Sequence, residues 1–326
     1  MIDLYLKEIN QGISEKTTKQ NNNYYARLKS NMPAKKSINN YSKKDFVVLL
    51  TKMNATTKGS FYQSKTMIRN YLLWLLERGE IKSRQLDVFN EVSFGDIDYT
   101  AFCSTHYFRN FDDLYKSLEE SIWIYNGKED ETDEFNNLRC AMYLAWYGFT
   151  NEEIRGFLKS YINRTDSVIY KGKEQMPIRV DEKCHKLLLK HAEAEEYIAK
   201  RIGHSSGNDS VKYIYKPSEY LLRSYRSEQY TESSFAFLTN GVNKISEETN
   251  RLFLYKKVFL SGIFHRACLD EIEHGELLKN DYDRLARLFM PNLTELPKTF
   301  SISQKTTLAH KRLAEYKVYK KVFYGF

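Results

Sequence analysis

Lys58, Tyr62, Lys65 and Arg69 recur at intervals of four, three and four residues, which on a helix aligns three cations and an aromatic ring along one stripe. Cations of this kind pair with phosphate oxygens, and a tyrosine beside them can bond to phosphate or sugar, so the stripe suits a nucleic-acid backbone. Its surroundings are nearly free of acids. Between Lys16 and Arg69 there are 12 Lys and Arg residues and a single acid, Asp45. Lys16, Lys19, Arg27, Lys43 and Lys44 extend the candidate DNA-facing set along this stretch. Residues 1–85 hold 16 Lys/Arg against 6 Asp/Glu, a net of +10, whereas the remaining residues hold 34 against 36, a net of −2. A charge this unevenly divided marks one part of the chain as the face for a polyanion, and a nucleic acid is the expected partner.

Other chemistries find little support. The four cysteines, Cys103, Cys140, Cys184 and Cys268, lie far apart with no CxxC pair, which argues against a zinc site or a disulfide framework. No metal and no cofactor is expected. No stretch approaches the ~18 apolar residues of a membrane span, and the first residues, MIDLYLKEINQG, lack a basic region followed by an apolar one. The expectation is therefore a cytoplasmic protein with no membrane partner.

The elements that must position the stripe are helices. Ser14 can cap a helix over Glu15–Leu28, and Ser42 with Asp45 forms an S-x-x-D start before FVVLLTKM. Ser60 precedes a longer helix that Gly79 stops, with Phe61, Ile68, Leu72 and Leu75 on the core stripe. A helix is expected near 110–125, then an acidic loop and helix start at 127–134. Residues 135–160 hold two helical patterns broken at Gly148. SVIYKGKEQMPIRV (167–180) alternates about a Lys-Gly-Lys turn and predicts a β-hairpin carrying Lys171 and Lys173. Helices are expected again at 181–200, 246–274 and 279–290, followed by a Pro-bounded loop at 291–297. The chain closes on a basic amphipathic tail in which Lys311, Arg312, Lys317, Lys320 and Lys321 alternate with Leu308, Leu313, Tyr316, Val318, Tyr319 and Phe323. The fold class expected is mainly α with a small β-sheet. Two domains are expected: a helical DNA-binding domain over 1–92, and a larger one over 100–326 that ends in the basic helix.

This order of parts resembles the tyrosine recombinases, the phage-integrase family, in which a small helical core-binding domain precedes a helical catalytic domain with one sheet. WYGFTNEEIRGFLKSYI resembles the family's first box, T-G-L-R-x-S-E-L: Gly148 matches the glycine, Glu153 the glutamate and Ile154 the closing leucine, while Thr150 stands at the catalytic arginine. YKGKEQMPI resembles the hairpin that bears the catalytic lysine, with Lys171 the closest match and Lys173 the alternative. SGIFHRACLDEIEHG (261–275) resembles the second box, H-x-L-R-H-T-x-A-T-x-L-L-x-x-G. Ile263, His265, Ile272 and Gly275 fit, but Ser261 replaces the first histidine and Phe264 the second arginine. Met290 falls at the histidine of the third box, and no tyrosine follows at the family's spacing; Tyr316 and Tyr319 lie much farther on.

What the resemblance implies is retained binding with lost chemistry. The family reaction is attack by tyrosine on a phosphodiester, with two arginines clamping the oxygens on which charge develops. A hydroxyl and an apolar ring cannot replace two guanidinium forks. IGHSSGNDSVKY (202–213) is similar to the third box plus nucleophile, as His204 and Tyr213, but it precedes the second-box match, the wrong order; its plainer reading is a polar loop leading into an extended segment. His265 and Arg266 could still touch phosphate or simply meet solvent, and Lys171 and Lys173 are expected at phosphate or groove. Segment 305–326 could dock on a neighbouring subunit, as the family's C-terminal segments do, or pack on its own domain. Among recombinase-like proteins without chemistry, the sequence resembles repressors that keep a prophage dormant. The expectation is thus a sequence-specific repressor in a bacterial host, not an enzyme; a rearranged active recombinase or an accessory architectural protein are the alternatives.

Overall fold

A computed structural model describes residues 1–33, 36–53, 58–121, 132–172, 175–200, 210–249, 251–290 and 302–325. Lys173, His204 with the rest of the GHSS loop, most of the acidic run and the Pro-bounded loop lie outside the described residues. The described part is mostly helical, with two small antiparallel hairpins. It forms two compact units: residues 1–102 with 314–325, and residues 103–313. The sequence alone placed the whole C-terminal tail with the second domain; its last residues group instead with the first.

The first unit holds helices α1 (Ile2–Ile9), α2 (Glu15–Asn31), α3 (Lys43–Lys52), α4 (Lys58–Glu77) and α5 (Ser83–Asn90). Ser14 caps α2 through the Thr17 amide, and Ser42 with Asp45 makes a reciprocal capping box on α3. Helix α4 begins at Lys58, so Ser60 lies inside it and does not precede it. Gly79, at φ +72, ends it, with the Gly79 and Glu80 amides donating back to Leu76 and Leu75. Phe61, Ile68, Leu72 and Leu75 are buried, as their spacing predicts, beside Phe46 and Phe89. Tyr24 and Tyr25 of α2 donate to the Ser64 and Met67 carbonyls, which fixes α2 against α4. Helix α6 (Thr100–His106) runs across the boundary between the two units.

The second unit is built round α8 (Asp133–Trp146), which follows α7 (Phe111–Glu119). Twelve of the fourteen residues of α8 are buried, so this helix is enclosed on all sides. Around it come α9 (Asn151–Arg155), the hairpin β1 (Val168–Lys171) and β2 (Met176–Arg179), and α10 (Glu182–Glu193). A second hairpin follows, β3 (Glu196–Lys200) with β4 (Ser210–Ile214), then α11 (Glu232–Thr249), α12 (Tyr255–His274) and α13 (Tyr282–Phe289). Helix α14 (Ile302–Tyr324) closes the chain. The expected hairpin forms, with Lys171 opposite Met176.

Two helical expectations fail. The pattern at 181–200 yields a helix only to Glu193; Glu196–Lys200 pairs with β4 instead, and the Ile198 amide is taken by Asp133 of α8. Tertiary pairing overrides the helical composition of that stretch. The pattern at 246–274 is broken between α11 and α12. There the Phe253 ring is buried, its amide donates to Ser246, and the Arg251 guanidinium is paired with Asp113.

Candidate nucleic-acid interface

In the first unit, Lys16, Lys19, Arg27, Lys44 and Arg69 are exposed, and Tyr62 is 51% exposed. The one acid in this stretch is already matched. Asp45 accepts from Lys36 at 2.7 Å and from Ser42, and these bonds, with that to Lys36 the largest effect, hold its carboxyl down at about 2. Lys16, Lys19 and Arg27 lie on one side of α2, opposite the buried Tyr25 and Leu28. Tyr62 and Arg69 share a side of α4. Ser64, against which α2 packs, is roughly 160° round α4 from Tyr62, so the cations of α2 and α4 face different ways.

Two members of the expected set are engaged within the fold. Lys43 pairs with Asp96 at 3.0 Å. Lys65 is half-buried and donates to the carbonyls of Asn90, at 2.7 Å, and Val92. These oxygens lie at and just beyond the C-terminus of α5, where a cation also meets the negative end of the helix dipole. Lys65 is therefore a cap of α5, and burial lowers its pKa. The Lys58 side chain lies outside the described residues.

In the second unit the recombinase-like positions converge on the turn that ends α8. The Gly148 and Phe149 amides donate back to Ala145 and Leu144, which requires Gly148 at φ +89. Thr150 then caps α9: its hydroxyl accepts from the Glu153 amide, and the Glu153 carboxylate accepts from the Thr150 amide at 2.7 Å. Lys171, expected at a DNA groove, turns inward and is buried. Its ammonium donates to the Gly148 carbonyl at 2.6 Å, pairs with Glu153 at 3.2 Å and lies 5.2 Å from the centre of the Phe149 ring. Strand alternation puts Lys171 on the same face as the fully buried Ile169, a signal the sequence already carried.

Helix α12 crosses the end of α8 at Gly262. A Cβ there would stand 1.9 Å from the Trp146 carbonyl oxygen, so only glycine permits the approach. One turn later the Arg266 guanidinium donates to that same oxygen at 2.8 Å. Burial draws Arg266 down to about 10, which leaves it charged at neutral pH. Sequence reading missed this pair, although a lone glycine inside an apolar helix is a known sign of close backbone approach. His265 lies against Trp146, and burial, with Arg266 beside it, lowers its pKa to about 4, so the imidazole is neutral at physiological pH.

The remaining positions are core. Phe264 is fully buried between the Tyr107 and Phe289 rings, and Met290 is buried just after α13. Ser261, also buried, accepts from the Phe108 amide and donates to the Lys257 carbonyl. Of the tyrosines considered as nucleophiles, Tyr316 and Tyr319 are buried, whereas Tyr213 is 39% exposed and stacked 4.1 Å from Tyr225. No cluster of potential metal ligands occurs among the described residues. No described helix is long and apolar enough to cross a membrane.

The family model described as "MrpR, C-terminal catalytic domain" matches residues 137–316. No curated protein matches the chain. Among solved structures, the chain is similar to the integrase of transposon Tn1549 in complex with circular intermediate DNA. That likeness has 11% identity and a TM-score of 0.35, and covers 94% of each chain. It is also similar to a lambda integrase dimer bound to a COC′ core site, at 13% identity and a TM-score of 0.32, covering 94% of this chain and 93% of that one. Likeness this distant assigns no role to any residue.

Proposed function

We propose that this chain, which belongs to the MrpR family, is a recombinase-like, sequence-specific binder of double-stranded DNA that represses transcription and does not cut its target. The observation that carries the reading is a contrast in how cations are used. In the first unit Lys16, Lys19, Arg27, Lys44 and Arg69 stand exposed with the neighbouring acid matched by Lys36. In the second unit Lys171 and Arg266 are bound to the backbone carbonyls of one turn, while Thr150 and Phe264 stand where the recombinase resemblance needs guanidinium groups. Exposed cations supply the salt-sensitive, sequence-independent part of DNA affinity. A phosphoryl transition state needs fixed positive charge aimed at its oxygens, and Lys171 and Arg266 are directed to the protein's own backbone.

The sequence also resembles the master repressor of SPβ-type prophages, and the biological role proposed is maintenance of a dormant prophage in a bacterial cytoplasm. Self-association through 305–326 is a separate proposal; Leu313, Tyr316 and Tyr319 are buried within the chain, so the basic outer face of α14 would carry it.

The test is footprinting of the full chain across its host genome, followed by quantitative binding to the recovered sites over a range of salt concentrations. Discrete protected sites beside promoters, with affinity falling steeply as salt rises, are expected. Binding that is insensitive to salt, or spread without preference, would overturn the reading. A protein-linked DNA strand would favour the active-recombinase alternative, and sites confined to a recombinase's own core would favour an accessory role.

A further inference from the structure

The first unit contains a cavity of 510 Å³ that the DNA-binding reading leaves unused. One wall is a single face of α14, where Ala314, Lys317, Val318, Lys321 and Val322 recur at helical spacing. The other wall is the segment after α5, which presents Phe94, Ile97 and Tyr99. The Phe94 and Tyr99 rings lie 5.4 Å apart, and Phe94 is backed by the buried Phe61 ring at 5.6 Å, so the aromatic wall is braced by the core. Lys317 and Lys321, one turn apart, are both exposed. Asp98 also lines the cavity, but its carboxylate accepts from the Thr100 amide at 2.8 Å, which lowers its pKa and ties it to its own turn.

We propose that this cavity is a binding site for a small aromatic anion, with its ring system against Phe94 and Tyr99 and its carboxylate or sulfonate between Lys317 and Lys321. The volume falls in the range of roughly 300–1,000 Å³ typical of small-molecule sites, which are apolar pockets with a few fixed polar groups. Two lysines on one wall favour a negative charge, and paired aromatic rings select a flat apolar body. The proposal stands independently of DNA binding.

The test uses the full chain and 8-anilinonaphthalene-1-sulfonate as probe, followed by fluorescence, with displacement by 1-naphthoate. A saturable signal of one probe per chain, reversed by 1-naphthoate, is expected. Val318→Trp, which fills the cavity, should abolish it, and Lys321→Glu should weaken it at least tenfold. Ile214→Ser, which removes an 81% exposed side chain from the second unit, should leave it unchanged. Lys321→Glu is exposed, so it decides the matter even if Val318→Trp lowers the melting temperature. A signal that never saturates, that survives Lys321→Glu, or that is lost with Ile214→Ser would overturn the proposal.

Discussion

Arg266 donates to the carbonyl oxygen of Trp146 at 2.8 Å, so a guanidinium from α12 closes the end of the buried helix α8. That oxygen is also the atom a Cβ at Gly262 would strike. Glycine permits the approach and arginine satisfies the carbonyl left there. Gly262→Ala should therefore be among the most damaging small substitutions in the chain, costing about 3 kcal/mol or more, because the obstacle is backbone within a packed helix crossing. Arg266→Met should cost about 1–3 kcal/mol by leaving the carbonyl without its donor. Urea unfolding of both variants measures this; unchanged midpoints would contradict the crossing.

Lys65 and Arg69 should separate in their effects although they share a stripe. Lys65→Glu removes the cap from α5 and sets a carboxylate against the Asn90 and Val92 carbonyls, so thermal stability should fall by about 1–3 kcal/mol. Arg69→Glu changes an exposed side chain and should leave stability within about 0.5 kcal/mol while weakening DNA binding and reducing its salt dependence. Melting curves and binding isotherms of the two variants side by side provide the check. Equal melting temperatures would mean that Lys65 faces outward.

Stability should decline as the solution is acidified from about pH 6.5 to about pH 4. His191 is buried, with Nε2 on Asn137 at 3.0 Å, and burial, aided by the Arg139 charge, lowers its pKa to about 4. The Asp133 carboxylate lies 3.7 Å from Nδ1, but burial is the largest effect on the imidazole and sets the direction. The unfolded chain binds the proton first, so the stabilisation is complete above pH 6.5 and lost as pH falls through this window. A shift of this size is worth up to about 3 kcal/mol, and His265 adds in the same direction. His191→Gln should flatten the pH dependence of the urea midpoint between pH 4 and 6.5; an unaltered slope would show that other groups set it.

No covalent protein–DNA adduct should form on nicked operator DNA. The proposed repression in the host should survive Tyr213→Phe, Tyr316→Phe and Tyr319→Phe, each made singly. Thr150→Arg with Phe264→Arg should not create activity. It would remove the α9 cap, at about 1 kcal/mol, and force a charge into the core beside Tyr107 and Phe289. A denaturing gel with labelled DNA is the measurement. A protease-sensitive band from the wild-type chain, lost in one of the tyrosine variants, would make the protein an enzyme.

The sequence by itself determined helices α2, α3 and α4, because Ser14, Ser42 and Gly79 encode helix ends locally and the Phe61–Leu75 spacing encodes one buried face. It likewise determined the β1–β2 hairpin, through alternation about Gly172. Only the tertiary structure decided where the cations point. Lys16 and Lys65 are the same residue type in the same acid-poor stretch, yet one is exposed and the other closes a helix, because α5 returns alongside α4. Lys171 and Arg266 are far apart in sequence and meet at the Trp146–Gly148 turn only after α12 crosses α8 at Gly262. The strand at Glu196–Lys200 was hidden for the same reason: a strand's hydrogen bonds lie on another segment, so its stability is a property of its partner and not of its own composition.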